Sequence, residues 1–311
     1  MNIRVILVAN SLTGVYPVES QVKTPIKRYI IAFAFIALYM ALYYFNQLLA
    51  GLGVIFANMI RTFLSSDQPG NTDLSNLYGE YLNEQSGLIL AIGAVFSLLI
   101  YAAILALRNR NIIKHCKLNC APHAKDIGMA TLLGFSVNFI LSLVLVILMA
   151  IPSFTRIFEE YEDHIAMLTS SNLLPAIIGI GILGPLVEEI LFRGLITGEL
   201  SALFSLPVTI TVQGILFGIY HGNLVQGSYA AILGLLFGYC AYKSDNLYPA
   251  IAAHIAMNTT SLLLSLPAIS DQLTNTMATL LYAVVSSVAF VFSLRFFIQK
   301  RKRSLQEPLS H

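Results

Sequence analysis

The chain has no tryptophan, only three cysteines and few charges: 18 Lys or Arg and 16 Asp or Glu in 311 residues, a net charge of +2. Charged residues are 11% of the chain, well short of the roughly 25% of a soluble globular domain. A near-zero balance with the basic residues at the flanks of apolar runs excludes a nucleic-acid-binding surface. Cys116, Cys120 and Cys240 are too few for a disulfide framework. The stretch after Met1 is short, and Tyr16, Pro17 and Glu19 follow without a cleavage pattern, so it does not read as a signal peptide.

What fills the chain is apolar sequence: 57% hydrophobic residues and a mean hydropathy of +0.75. No loop between apolar runs exceeds about thirty residues. Runs near 20 residues match what a bilayer core of roughly 30 Å requires of a helix rising about 1.5 Å per residue. Backbone groups in lipid must be satisfied internally, so these runs are expected to be helices. They are Tyr29–Ile60, Leu88–Leu107, Met129–Ile151, Leu173–Ile196, Leu206–Tyr220, Leu224–Tyr242, Leu247–Leu266 and Met277–Ile298. The fold expected is an all-α, polytopic membrane helix bundle of about eight spans. The first run, interrupted by Asn46 and Gln47, reads as one long helix projecting beyond the lipid.

Loop charges give the orientation. Arg4, Lys23, Lys27 and Arg28 precede the first span, and an acidic loop with Asp67, Asp73, Glu80 and Glu84 follows it. Arg108, Arg110, Lys114, Lys117 and Lys125 come next, then Glu159, Glu160, Glu162 and Asp163, and Lys300, Arg301, Lys302 and Arg303 in the tail. Basic loops stay in the cytoplasm, so both termini are expected inside. The organisation expected is a cytoplasmic segment over 1–28, N-terminal spans over 29–151, a polar-bearing core over 173–266, a last span over 277–298 and a basic tail over 299–311. Gly214 with Gly218, Gly218 with Gly222, and Gly234 with Gly238 lie four apart, a spacing that lets membrane helices approach closely.

Against this background a few ionisable residues stand out, because a buried charge is costly unless paired or used. GPLVEEILFRG places Glu189 and Arg193 four apart on one helical face, as an ion pair, with Glu188 turned about 100° away. That division suggests support for Glu189 and chemistry for Glu188. GILFGIYHGN puts Phe217 one turn from His221, and histidine moves protons near neutral pH. HIAMN puts His254 and Asn258 on one face, able to aim two hydrogen bonds at one point, as an oxyanion requires. Simple upright helices leave a difficulty: His221 lies 14 residues beyond Pro207, roughly 21 Å along a helix and too far outward, unless the helix is tilted, the connection around Ser201 to Leu206 lies deep, or the fifth helix is short and broken.

In order and spacing, EEILFR, FGIYH and HIAMN resemble the motifs of the CPBP family of intramembrane proteases (CAAX protease and bacteriocin-processing, or Abi), which includes the Rce1-type prenyl-protein endopeptidases. The likeness covers roughly Leu173 to Leu266. It implies a glutamate-dependent hydrolase, in a family first named as metalloproteases, in which Glu188 and His221 activate water. His254 and Asn258 would stabilise the oxyanion, while Glu189, Arg193 and Phe217 support the site. The substrate implied is a membrane-associated protein or peptide within the lipid bilayer.

Two histidines and a glutamate can ligate zinc, and Glu188, His221 and His254 would be the ligands. The chain has no H-E-x-x-H pair, however, and Asn258 is a poor ligand, so a metal-free site is favoured. His115, Cys116, Cys120 and His123 have irregular spacing among lysines and read as part of an ordinary basic loop. Two other functions compete. A non-catalytic scaffold, as in immunity or signalling, would retain the same motifs. An ion-coupled transporter would require matching broken helices in two halves, and no such pair is visible.

Overall fold

A computed structural model of the chain describes residues 25–64, 79, 81–169, 171–266 and 276–300. The N-terminal segment, most of the first acidic loop and the basic tail beyond Lys300 lie outside these residues. The chain is an all-α membrane bundle, with no strand among the described residues. Its helices are α1 (Ile26–Leu64), α2 (Ser86–Leu107), the short α3 (Ile112–His115), α4 (Ala124–Met149) and α5 (Thr155–Thr169). They continue with α6 (Leu173–Ser201), α7 (Leu206–Tyr220), α8 (Leu224–Ser244), α9 (Tyr248–Leu264) and α10 (Thr276–Gln299).

Six of these, α1, α2, α4, α6, α8 and α10, are long and apolar enough to cross a membrane. The expected eight runs are therefore six full-length spans and two shorter helices. With 15 residues α7 extends only about 22 Å, less than the hydrocarbon core. The 17 residues of α9 are also short, and they carry His254, Asn258 and two threonines. As expected, Asn46 and Gln47 do not break α1. Asn46 is buried, and its amide donates to Ser97 Oγ on α2 at 3.0 Å, so the polar group has a partner inside the bundle. The segment with Glu159, Glu160 and Glu162, expected as a loop, is helical. Phe158 is buried in α5 and Tyr161 meets Tyr229 of α8 edge-on, which gives that helix an apolar face to dock.

One end of the bundle collects the basic residues. Arg108 pairs with Glu199, Lys117 with Asp245 and Lys300 with Asp126. Asn246 donates to Cys120 O at 2.9 Å, and Lys243 donates to Lys300 O at 2.6 Å. Tyr29 packs against Phe204. The start of α1 and the end of α10 thus lie at the same end, as an even number of passes requires.

Small residues set the closest crossings. A Cβ on Gly234 would come within 2.7 Å of Gly214 Cα, and one on Gly218 within 2.5 Å of Gly227 O, so α7 and α8 touch backbone to backbone. Gly222 has a different job. Its φ of +66° ends α7, in a conformation that glycine adopts without a Cβ penalty. On the other side of the core, a Cβ on Gly134 would sit 1.9 Å from Ala253 O. Asn138, one turn on, donates to Met257 O at 3.2 Å. Helix α4 therefore grips α9 at the residues immediately before His254 and Asn258.

Candidate active site

The motif helix α6 is not uniform. Ile177–Leu183 and Ile190–Ile196 are π-helical turns flanking an α-helical Gly184–Glu189. Such wide turns loosen the backbone ladder and are frequent at functional sites. Here the loosened carbonyls accept from α9: Asn258 Nδ2 donates to Ile180 O at 3.1 Å and Thr259 Oγ1 to Gly181 O at 3.4 Å. Helices α6 and α9 are thereby locked in register across the site.

That register brings His254 between the two glutamates. Its Nδ1 lies 2.8 Å from Glu189 Oε1, and its Nε2 lies 3.7 Å from Glu188 Oε2. The sequence places the two carboxylates on different faces; one imidazole reaches both because its two nitrogens point in different directions. Glu189 is fully buried, whereas the Glu188 side chain keeps 15% of its exposure. The acid assigned to support is the enclosed one, and the acid assigned to chemistry is the more accessible one.

The expected Glu189–Arg193 pair is present, with Nη1 3.0 Å from Oε1 and both side chains buried. Arg193 Nη2 also reaches Gly234 O at 3.5 Å, and the guanidinium lies over the Phe217 ring at 4.4 Å. Gln213, which the motifs do not flag, donates to the same Gly234 carbonyl at 2.7 Å. Glu189 Oε1 thus serves Arg193 and His254 together, so a single oxygen couples the ion pair to the imidazole.

Phe217 is the aromatic hub. Its ring is 4.8 Å from His221 and 5.7 Å from His254, both edge-on, and 4.9 Å from Phe192. Phe237 closes the other side of His254 at 5.6 Å. The last turn of the unbroken α7 lies beside Phe192 and His254, through Phe217 and Tyr220. His221 Nδ1 is 2.8 Å from Phe217 O. A carbonyl oxygen only accepts, so Nδ1 carries the hydrogen and Nε2 is the nitrogen that can take a proton.

No group of three or more His, Cys, Asp or Glu side chains among the described residues converges as metal ligands do. Of the three residues named as zinc ligands, Glu188 and His254 approach each other, and His221 does not join them in such a group. The residues of the basic loop between α2 and α4 do not assemble one either. Cys116 is buried beneath Gly194, where an added Cβ would come within 2.5 Å of its Sγ, and Cys120 is exposed. His115 Nε2 packs in the same way against Gly198. Burial pushes the Cys116 thiol up to about 12 and lowers the pKa of His115. These side chains seat the loop on the end of α6.

Comparison with known proteins locates the resemblance. Residues 170–260 match the family described as type II CAAX prenyl endopeptidase Rce1-like. A relative from Bacillus subtilis (strain 168), "Putative membrane peptidase YdiL", is 28% identical over 116 residues. The match spans 37% of this chain and about half (48%) of the relative's length. No solved structure matches.

Proposed function

With residues 170–260 an Rce1-like domain within a multi-pass membrane protein, we propose that the chain is an intramembrane endopeptidase. Its substrate would be a peptide bond in a membrane-associated protein or peptide, hydrolysed by water. The observation that carries this reading is the Glu189–His254–Glu188 array, with Nδ1 at 2.8 Å from one acid and Nε2 at 3.7 Å from the other. The longer separation exceeds a hydrogen bond. A water about 2.8 Å from each group would bridge them.

In the reaction, Glu188 takes one proton of that water, with His221 Nε2 as its helper, as the water oxygen bonds to the scissile carbonyl carbon. The carbonyl π electrons move to oxygen, and the oxyanion accepts hydrogen bonds from His254 and Asn258. For Nε2 to donate, His254 must carry both ring hydrogens, and the Glu189 carboxylate at Nδ1 stands beside that charge. The carboxamide nitrogen of Asn258 has two hydrogens, one of which is given to Ile180 O. Collapse breaks the C–N bond, and the proton held at Glu188 or His221 passes to the leaving amine. Atoms and charge balance without a metal, and the supporting roles fall to Glu189, Arg193 and Phe217.

The basic end of the bundle faces the cytoplasm in this proposal, which places both termini there. The test is reconstitution of the purified protein with a panel of membrane-associated peptides, prenylated and unmodified, beside Glu188→Ala. Cleavage by the wild type alone supports the proposal and identifies the substrate class. Equal cleavage by both proteins overturns it.

A further inference from the structure

Helix α7 ends at Tyr220, and the last four carbonyls of a helix lack intrahelical partners. Each is accounted for here. Phe217 O faces His221 Nδ1, Gly218 O accepts from His221 N at 3.2 Å, and Ile219 O accepts from Gly222 N at 3.2 Å. The fourth, Tyr220 O, immediately precedes His221 in the chain and accepts from the hydroxyl of Tyr44, on α1. Its partner comes from 176 residues away, outside the segment that matches the family.

The contact is reinforced by packing. The Tyr44 and Tyr220 rings lie 4.8 Å apart, Tyr43 approaches the Tyr220 ring at 5.4 Å, and Phe192 of the motif helix meets it edge-on at 5.3 Å. Tyr220 is therefore held by aromatic rings from both α1 and α6. His221 is the next residue, and its Nδ1 contact to Phe217 O depends on the geometry of that same last turn. A turn allowed to fray would release the imidazole from the tautomer that leaves Nε2 as proton acceptor.

We propose that Tyr44 is a positioning residue that acts from outside the Rce1-like segment: by capping Tyr220 O it closes the last turn of α7 and holds the His221 imidazole in place against Phe217. This proposal rests on His221 acting as a base, and its primary test is chosen to need no substrate. Purified wild type and Tyr44→Phe are treated with diethyl pyrocarbonate, and modification of His221 and His254 is followed separately by peptide mass spectrometry. Phenylalanine keeps the ring stack and removes only the donor. Loss of one hydrogen bond, typically about 1 kcal/mol, corresponds to about a fivefold change. His221 should react about fivefold faster, while His254, held by Glu189, keeps its wild-type rate.

Unchanged His221 labelling in folded Tyr44→Phe overturns the proposal, as does equal acceleration at both histidines. Thermal melting establishes folding, and Tyr44→Leu, which also lacks the donor, replaces Tyr44→Phe if that protein is not recovered. With a substrate in hand, Tyr44→Phe should lower kcat about fivefold at unchanged KM. The loss should vanish in a His221→Gln background; an equal further loss there would assign Tyr44 a role independent of His221. If Glu188→Ala proved as active as wild type, the hydrolase reading would fail while the labelling result stood on its own.

Discussion

Replacing Arg193 with Met should destabilise the protein severely, and the structure says why. The guanidinium is the cation beside a fully buried carboxylate, at 3.0 Å, and it lies against Phe217 at 4.4 Å. Methionine fills much of the volume but leaves Glu189 with His254 as its remaining partner. Removing one member of a buried pair typically costs about 3–5 kcal/mol, a large share of the roughly 5–15 kcal/mol that stabilises a domain. Replacing both members removes the unpaired charge, so Arg193→Met with Glu189→Gln should regain most of the loss. Activity should not return with it, because Nδ1 of His254 then lacks its carboxylate. The assay is thermal melting of detergent-purified protein by fluorescence-detected size exclusion, with membrane abundance measured in parallel. Wild-type melting and abundance in Arg193→Met would refute the argument, as would a double variant no more stable than the single one.

His254→Ala should fold and insert normally and lose at least about a hundredfold in turnover, the usual consequence of deleting one oxyanion donor; full turnover at normal abundance would remove it from the mechanism. Gly134→Val places side-chain atoms where Ala253 O lies 1.9 Å from a bare Cβ, so it should lower the melting temperature and activity together. Thiol labelling at pH 7.5 should modify exposed Cys120 and spare Cys116. A thiol with a pKa of about 12 is protonated there and becomes thiolate only as pH rises toward that value. Chelation should leave peptide hydrolysis intact, whereas inactivation reversed by zinc alone would demand a third ligand beside Glu188 and His254.

The candidate residues were legible because ionisable groups are costly in an apolar chain. Glu188, Glu189, Arg193, His221, His254 and Asn258 stand out against helices that otherwise suit lipid, and helical spacing pairs Glu189 with Arg193 directly. The coupling between helices was not legible. Spacing along one helix cannot reveal that His254 bridges two acids on another, or that Asn258 finds a π-turn carbonyl at Ile180. The π turns themselves escape a reading based on 3.6 residues per turn. Gly134, Asn138, Gln213 and Tyr44 are isolated small or polar residues without a motif, and their roles arise from helix crossings. Counting apolar runs found the six long helices, and the other two runs are the shorter α7 and α9, of 15 and 17 residues.

Peptide hydrolysis in oxygen-18 water, by wild type and Glu188→Gln at matched abundance and melting temperature, tests the central claim most directly. Mass spectrometry of the new carboxyl terminus should find one heavy oxygen in the wild-type product and no product above background from Glu188→Gln. Labelled product formed equally fast by both proteins would show that Glu188 does not activate the water.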